Sequence, residues 1–124
     1  MAAEWPRMRT NAAAHTRNYS RLRQALSRRL PPGTPVRYLA DDVGDATAPW
    51  CLPLFLADRD SRDRLLKRLL LRGIGAWTWP DLPGDVTPET WPSAVELAGR
   101  TLCLPVHRDV DDRHIDYMAR VVAG

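Results

Sequence analysis

The stretch "RTLCLPVHRDVDDRHIDYMARVV", Arg100 to Val122, decides the fold. An apolar run, Leu102 to Leu104, stops at Pro105. His107 follows, then five charged residues among the next six. The remainder has helical spacing. A short buried strand, a Pro-Val-His corner and a capped terminal helix follow one another with no room for anything between. Asp111 is a suitable N-cap for that helix, and Asp112 sits in its first turn, where negative charge is favoured. Val110 and Ile115 have the spacing of a hydrophobic staple. Two histidines near several aspartates invite a metal reading, but His114 has Val110 and Met118 four residues to either side. It lacks a second ligand on its helical face. His107 lies on a loop past a strand end, where functional side chains are often found, and where a half-exposed histidine is also ordinary.

Upstream of this stretch, Trp5, Met8, Ala12, His15, Tyr19, Leu22, Leu26 and Leu30 recur at steps of three and four. That is one face of a long helix over about residues 5–30, ended by Pro31-Pro32-Gly33. "VRYLA" (36–40) reads as a strand, "DDVGDATAP" as a loop, and "WCLPLFLA" (50–57) as a second strand. Pro53 there argues for an edge position or a bulge. A helix from Ser61 to Arg72 follows, with Asp60 as N-cap, a buried stripe of Leu65, Leu66, Leu69 and Leu70, and Gly73 as its stop. "IGAWTW" (74–79) is a strand with Trp77 and Trp79 on one face. A loop rich in Pro and Gly leads to a short helix from about Pro92 to Ala98. The order α-β-β-α-β-α-β-α gives an α/β fold, a small mixed sheet with flanking helices, as one domain over residues 1–124.

Composition narrows the function. The formal charge of +3 divides unevenly: residues 1–40 carry +7 and residues 41–124 carry −4. A basic first helix admits a nucleic-acid surface, with Arg17, Arg21 and Arg28 on one strip. However, 17 of the 18 basic residues are arginine, which reads as a general preference for Arg over Lys. The longest aliphatic cluster, Leu65 to Leu71, is broken by Lys67 and Arg68, so no membrane span is expected. The N-terminus "MAAEWPRMRTNAAAH" has no apolar signal core. Cys51 and Cys103 lie in apolar runs and read as buried thiols of a reducing cytoplasm, a disulfide being the alternative. The phosphate-binding glycine patterns are absent.

The ordered segments "RNYSRLRQAL", "CLPLFLADRDSRDRLLKRLLLRGIGAWTWPDLP" and "WPSAVELAGRTLCLPVHRDVDDRHIDYMARVV" together resemble the C-terminal small domain of the DegT/StrS-type sugar aminotransferases, pyridoxal-phosphate (PLP) enzymes of fold type I. The resemblance covers about residues 10–123. It implies the small-domain fold, a cytoplasmic place and a role in sugar biosynthesis. It also implies what this chain lacks: the large domain with the Schiff-base lysine, the acid paired with the pyridinium nitrogen, and the phosphate cup. Lys67, the single lysine, sits on a small-domain helix.

The implied reading is therefore a chain with no catalytic, cofactor-binding or metal residues of its own. It would close the substrate cleft of a cofactor domain supplied elsewhere, in a transamination of a keto sugar with glutamate or glutamine as donor. A truncated gene product and a complementing subunit are both consistent with it. By the resemblance, Trp79 and Pro80 belong to the cleft rim, and Gly84 stands where many members have histidine. His107 matches the "L-P-x-H" corner, as a rim residue or as one that sets the corner's conformation. The implied partner is a PLP-domain chain, or a second copy joined through the first helix. The apolar stripe of that helix spans roughly 40 Å and is expected to overhang its own core at Trp5, Met8 and Ala12. The alternatives are a nucleic-acid-binding domain and a non-enzymatic interaction module.

Overall fold

In the computed structural model the described residues are 4–38 and 47–124, with the side chains of residues 4–7 and of Arg9 left aside. The Trp5 end of the predicted stripe and most of the 41–49 loop thus lie outside the described residues. Eight elements follow in the expected order: α1 (Glu4–Arg29), β1 (Val36–Tyr38), β2 (Cys51–Leu56), α2 (Arg59–Leu71), β3 (Trp77–Thr78), α3 (Pro92–Arg100), β4 (Thr101–Pro105) and α4 (Asp112–Ala123). They fall into two compact units. Among the described residues, one holds α1, α4 and residues 47–52 and 105–111; the other holds residues 34–38 and 53–104.

In the helical unit α1 and α4 pack on each other. The predicted face of α1 holds in its second half, where Tyr19, Leu22 and Leu26 are buried. Burying each such side chain stabilises by about 1.5–3 kcal/mol. Met8, nearer the N-terminus, is exposed and Ala12 is half-buried. Helix α4 buries Ile115, Met118, Ala119, Val121 and Val122. Its start is the predicted one: the Asp111 side chain accepts from the His114 backbone N–H at 2.9 Å. The imidazole of His114 completes a capping box, with Nδ1 accepting from the Asp111 backbone N–H at 3.2 Å. Sequence reading had given His114 no part in the cap.

In the sheet unit the strand order is β1-β2-β4-β3. The β1–β2 pair is antiparallel with Val36 opposite Leu56, and the β3–β4 pair is antiparallel with Trp77 opposite Cys103. Strand β4 is buried at every position, as expected of an interior strand with both faces covered. Strand β2 alternates, burying Leu52, Leu54 and Leu56. Pro53 is therefore on an interior strand rather than an edge. Among the described residues it lies next to the Tyr38–Leu54 pairing with β1. Cys51 and Cys103 remain thiols, Cys103 fully buried.

Two expectations for α2 change. Its N-cap is Asp58, whose carboxylate accepts from the Ser61 N–H at 2.6 Å, and Asp60 is in the first turn. The helix thus starts two residues earlier than read. The buried face also turns: Leu65 and Leu69 are buried, Leu66 is half-buried and Leu70 is exposed. Arg62 takes the fourth place on that face, one turn before Leu65 and Leu66. Gly73, at φ +76°, ends the helix as predicted, in a conformation that favours glycine.

Candidate functional site

The residues singled out from the sequence fall in different units. His107 belongs to the helical unit, Trp79 and Pro80 to the sheet unit, and each surface has its own construction.

The corner carrying His107 is built by α1. Asn18, almost fully buried, donates its side-chain amide to the carbonyls of Val106 (3.3 Å), His107 (3.0 Å) and Val110 (2.9 Å). Two amide hydrogens are thus shared among three carbonyls of one tight turn, which the Val110 N–H closes back onto the His107 carbonyl at 3.0 Å. Backbone groups that leave the strand ladder at Pro105 find their partner in a side chain 88 to 92 residues earlier. The His107 imidazole itself is half-exposed, 3.9 Å from the Asp109 carboxylate. Sequence reading had picked His107 and passed over Asn18. The available signal was a small polar residue beside Tyr19 on an otherwise apolar helix face.

Helix α1 bears on the nucleic-acid alternative. Arg21 pairs with Asp112 at 2.6 Å and Arg29 with Asp116 at 2.5 Å, so part of the basic surface is neutralised by α4. The Arg29 guanidinium is the main reason that the Asp116 carboxyl lies below its ordinary value of 3.8. On the same helix His15 Nδ1 lies 2.9 Å from the Pro49 carbonyl, and Thr16 donates to the Thr47 carbonyl.

In the sheet unit, Trp79 follows β3 directly and is 53% exposed, next to the exposed Pro80. The indole borders a cleft of about 270 Å³ also lined by Arg59, Arg62, Thr78 and Asp81. Arg62 joins α2 to α3: Nε and Nη2 donate to the Asp63 carboxylate at 2.9 and 2.7 Å, and Nη1 to the Ala98 carbonyl at 3.0 Å. Arg100, in the same last turn of α3, donates to the Leu56 carbonyl at 2.7 Å and lies 4.1 Å above the Phe55 ring. These two arginines hold α3 in place, and with it one wall of the cleft. Gly84 is exposed and does not line it.

Lys67 is exposed on α2 and lies outside the cleft. The residues around the cleft do not fit a pyridoxal Schiff-base pocket, which needs a lysine aimed into it. Among the described residues no group of three or more His, Cys, Asp or Glu side chains is placed to hold a metal ion. Nor is any described helix long and apolar enough to cross a membrane.

No protein-family model and no curated protein sequence matches the chain. Solved structures do. Spr1654 of Streptococcus pneumoniae in its PMP form, assigned as a sugar aminotransferase, superposes with a TM-score of 0.80 at 13% identity over 98% of this chain. A DegT DnrJ EryC1 StrS aminotransferase from Brucella abortus gives 0.70 at 20% identity over 91%. The aminotransferase TlmJ from Streptoalloteichus hindustanus gives 0.68 at 20% identity over 87%. The matched region is 32%, 30% and 31% of those chains respectively, so this chain spans about a third of their length. At these identities the likeness is one of fold: the chain is folded as one part of a DegT/StrS-type aminotransferase, with the helix and strand order expected of the small domain.

Proposed function

We propose that the chain acts as the small domain of a PLP-dependent sugar aminotransferase-like assembly. It closes the substrate cleft of a cofactor domain supplied elsewhere and does not catalyse alone. The observation that carries this reading is the superposition of 98% of the chain on 32% of Spr1654. A domain of this kind contributes position and exclusion of water rather than proton transfer. Trp79 and Pro80 supply an exposed apolar rim. His107 supplies a polar group on a corner that Asn18 keeps rigid. The partner is a PLP-domain chain, or a second copy engaged through the exposed start of α1, where Met8 is 58% exposed. Glutamate or glutamine as donor and a nucleotide-linked keto sugar as acceptor complete the reading.

The test uses PLP and borohydride on the purified chain. The expected result is no stoichiometric phosphopyridoxyl label at Lys67 and no amino transfer from glutamate. Adding a lysine-bearing cofactor domain of a DegT/StrS-type aminotransferase is expected to give a complex and amino transfer that depends on both chains. Stoichiometric labelling of Lys67, or turnover by the chain alone, would overturn the proposal. Light scattering over a concentration series distinguishes self-association from a hetero-complex.

A further inference from the structure

The cleft beside Trp79 contains guanidinium donors that the fold leaves unused. Arg62 is only 7% exposed. Of its five N–H groups, three are engaged by Asp63 and the Ala98 carbonyl, which fixes the plane of the guanidinium and leaves two. Arg59, three residues earlier on α2, lines the same cleft, and its guanidinium makes no hydrogen bond or ion pair among the described residues. The other wall is apolar: Leu82, Val86, Pro88 and Val95. Gly99 of α3 also lines the cleft, and a Cβ built on it meets no atom within 4 Å. Among the described residues nothing fills the space above that glycine.

Charge and size select the occupant. The lining holds two guanidiniums against the single carboxylate of Asp81, and Asp63 outside it already balances part of the charge of Arg62. A planar monoanion matches that surplus better than a dianion does, and planar carboxylates suit a guanidinium fork. A volume of about 270 Å³ is at the small end for ligand pockets, the size of a simple metabolite. We propose that this cleft binds a small carboxylate carried on an aromatic or aliphatic body, with the carboxylate on Arg59 and Arg62 and the body between Trp79 and Val95. The lining alone supports this, and it holds whether or not the chain partners a PLP domain.

The test is a titration of the whole chain with phenylacetate, followed by the Trp79 indole and Arg62 Nε resonances. Saturable shifts of both are expected, with phenylacetamide, the neutral analogue, at least about tenfold weaker. Arg59→Gln is expected to weaken phenylacetate at least about tenfold while leaving the melting temperature unchanged. Gly99→Leu, which places a side chain in the open space, is expected to abolish binding. Gly99→Ala, a milder change at a helical position, is expected to weaken binding and keeps the test valid if the leucine variant misfolds. Absence of saturation, equal binding of acid and amide, or undiminished binding by the Arg59 and Gly99 variants would each overturn the proposal.

Discussion

The amide nitrogen of Asn18 lies 2.9 Å from the carbonyl oxygen of Val110, 92 residues later, and within reach of two further carbonyls of the same corner. One side chain on the first helix thus anchors the turn that leads into the last. Asn18→Ala is expected to cost about 1–3 kcal/mol, because it leaves buried carbonyls without their donor. Asn18→Leu restores the volume but not the hydrogen bonds and is not expected to rescue. Urea denaturation measures the cost. Faster hydrogen exchange at the Val110 N–H shows that the loosening is local to the corner.

The leucines of α2 separate cleanly. Leu69 has no exposed surface and Leu70 is 53% exposed, although they are neighbours in sequence. Leu69→Ala is expected to destabilise by roughly 2–5 kcal/mol. Leu70→Ala should stay within about 0.5 kcal/mol. Equal effects in chemical denaturation would contradict the rotation of the helix face about Arg62.

Three aspartates give the fold an acid limit. Asp58 is held below 3.8 chiefly by the Ser61 backbone N–H, Asp111 by that of His114, and Asp116 by the Arg29 guanidinium. In each case the unfolded chain takes up a proton at higher pH than the folded one. Stability from these groups is therefore complete above the unfolded value, 3.8, and is lost as pH falls through the lower folded values. Thermal melts at descending pH should show a falling melting temperature below about pH 5, the onset expected for groups of this kind. A combined Asp58→Asn, Asp111→Asn and Asp116→Asn variant should show a smaller decline.

The cap of α4 depends on both members of its box. Asp111→Ala is expected to lower the melting temperature by several degrees. His114→Ala should give a smaller loss, because only the Asp111 N–H is left without its partner. If micromolar zinc raised the melting temperature and His114→Ala removed that rise, a metal role would replace the capping role.

Binding of duplex DNA separates the basic-helix alternative from the proposed one. With Arg21 and Arg29 committed to Asp112 and Asp116, any binding should be weak and disappear at moderate salt. The Arg21–Asp112 pair is exposed and is expected to contribute no more than about 1 kcal/mol to stability. Tight, sequence-tolerant binding that persists at physiological salt would favour a nucleic-acid function instead.

Local signals in the sequence determined the order of elements. Apolar spacing of three and four defined α1 and α4, Pro31-Pro32-Gly33 and Gly73 ended helices, and Asp111 started one. Such signals act over a few residues, because caps, turns and periodic faces concern neighbours along the chain. Trp79 and His107, singled out from the sequence, stand just past the ends of β3 and β4. Tertiary structure decided the rest. Pro53 lies on an interior strand because β2 is flanked by β1 and β4, strands that come from distant parts of the chain. Arg62 occupies a buried position that the leucine pattern does not indicate, because Asp63 and the Ala98 carbonyl, 36 residues away, hold it there. Asn18 acquires its role from carbonyls at the opposite end of the chain. A buried polar group is tolerated only where its hydrogen-bond partners converge in space, and that convergence exists only once the chain has folded.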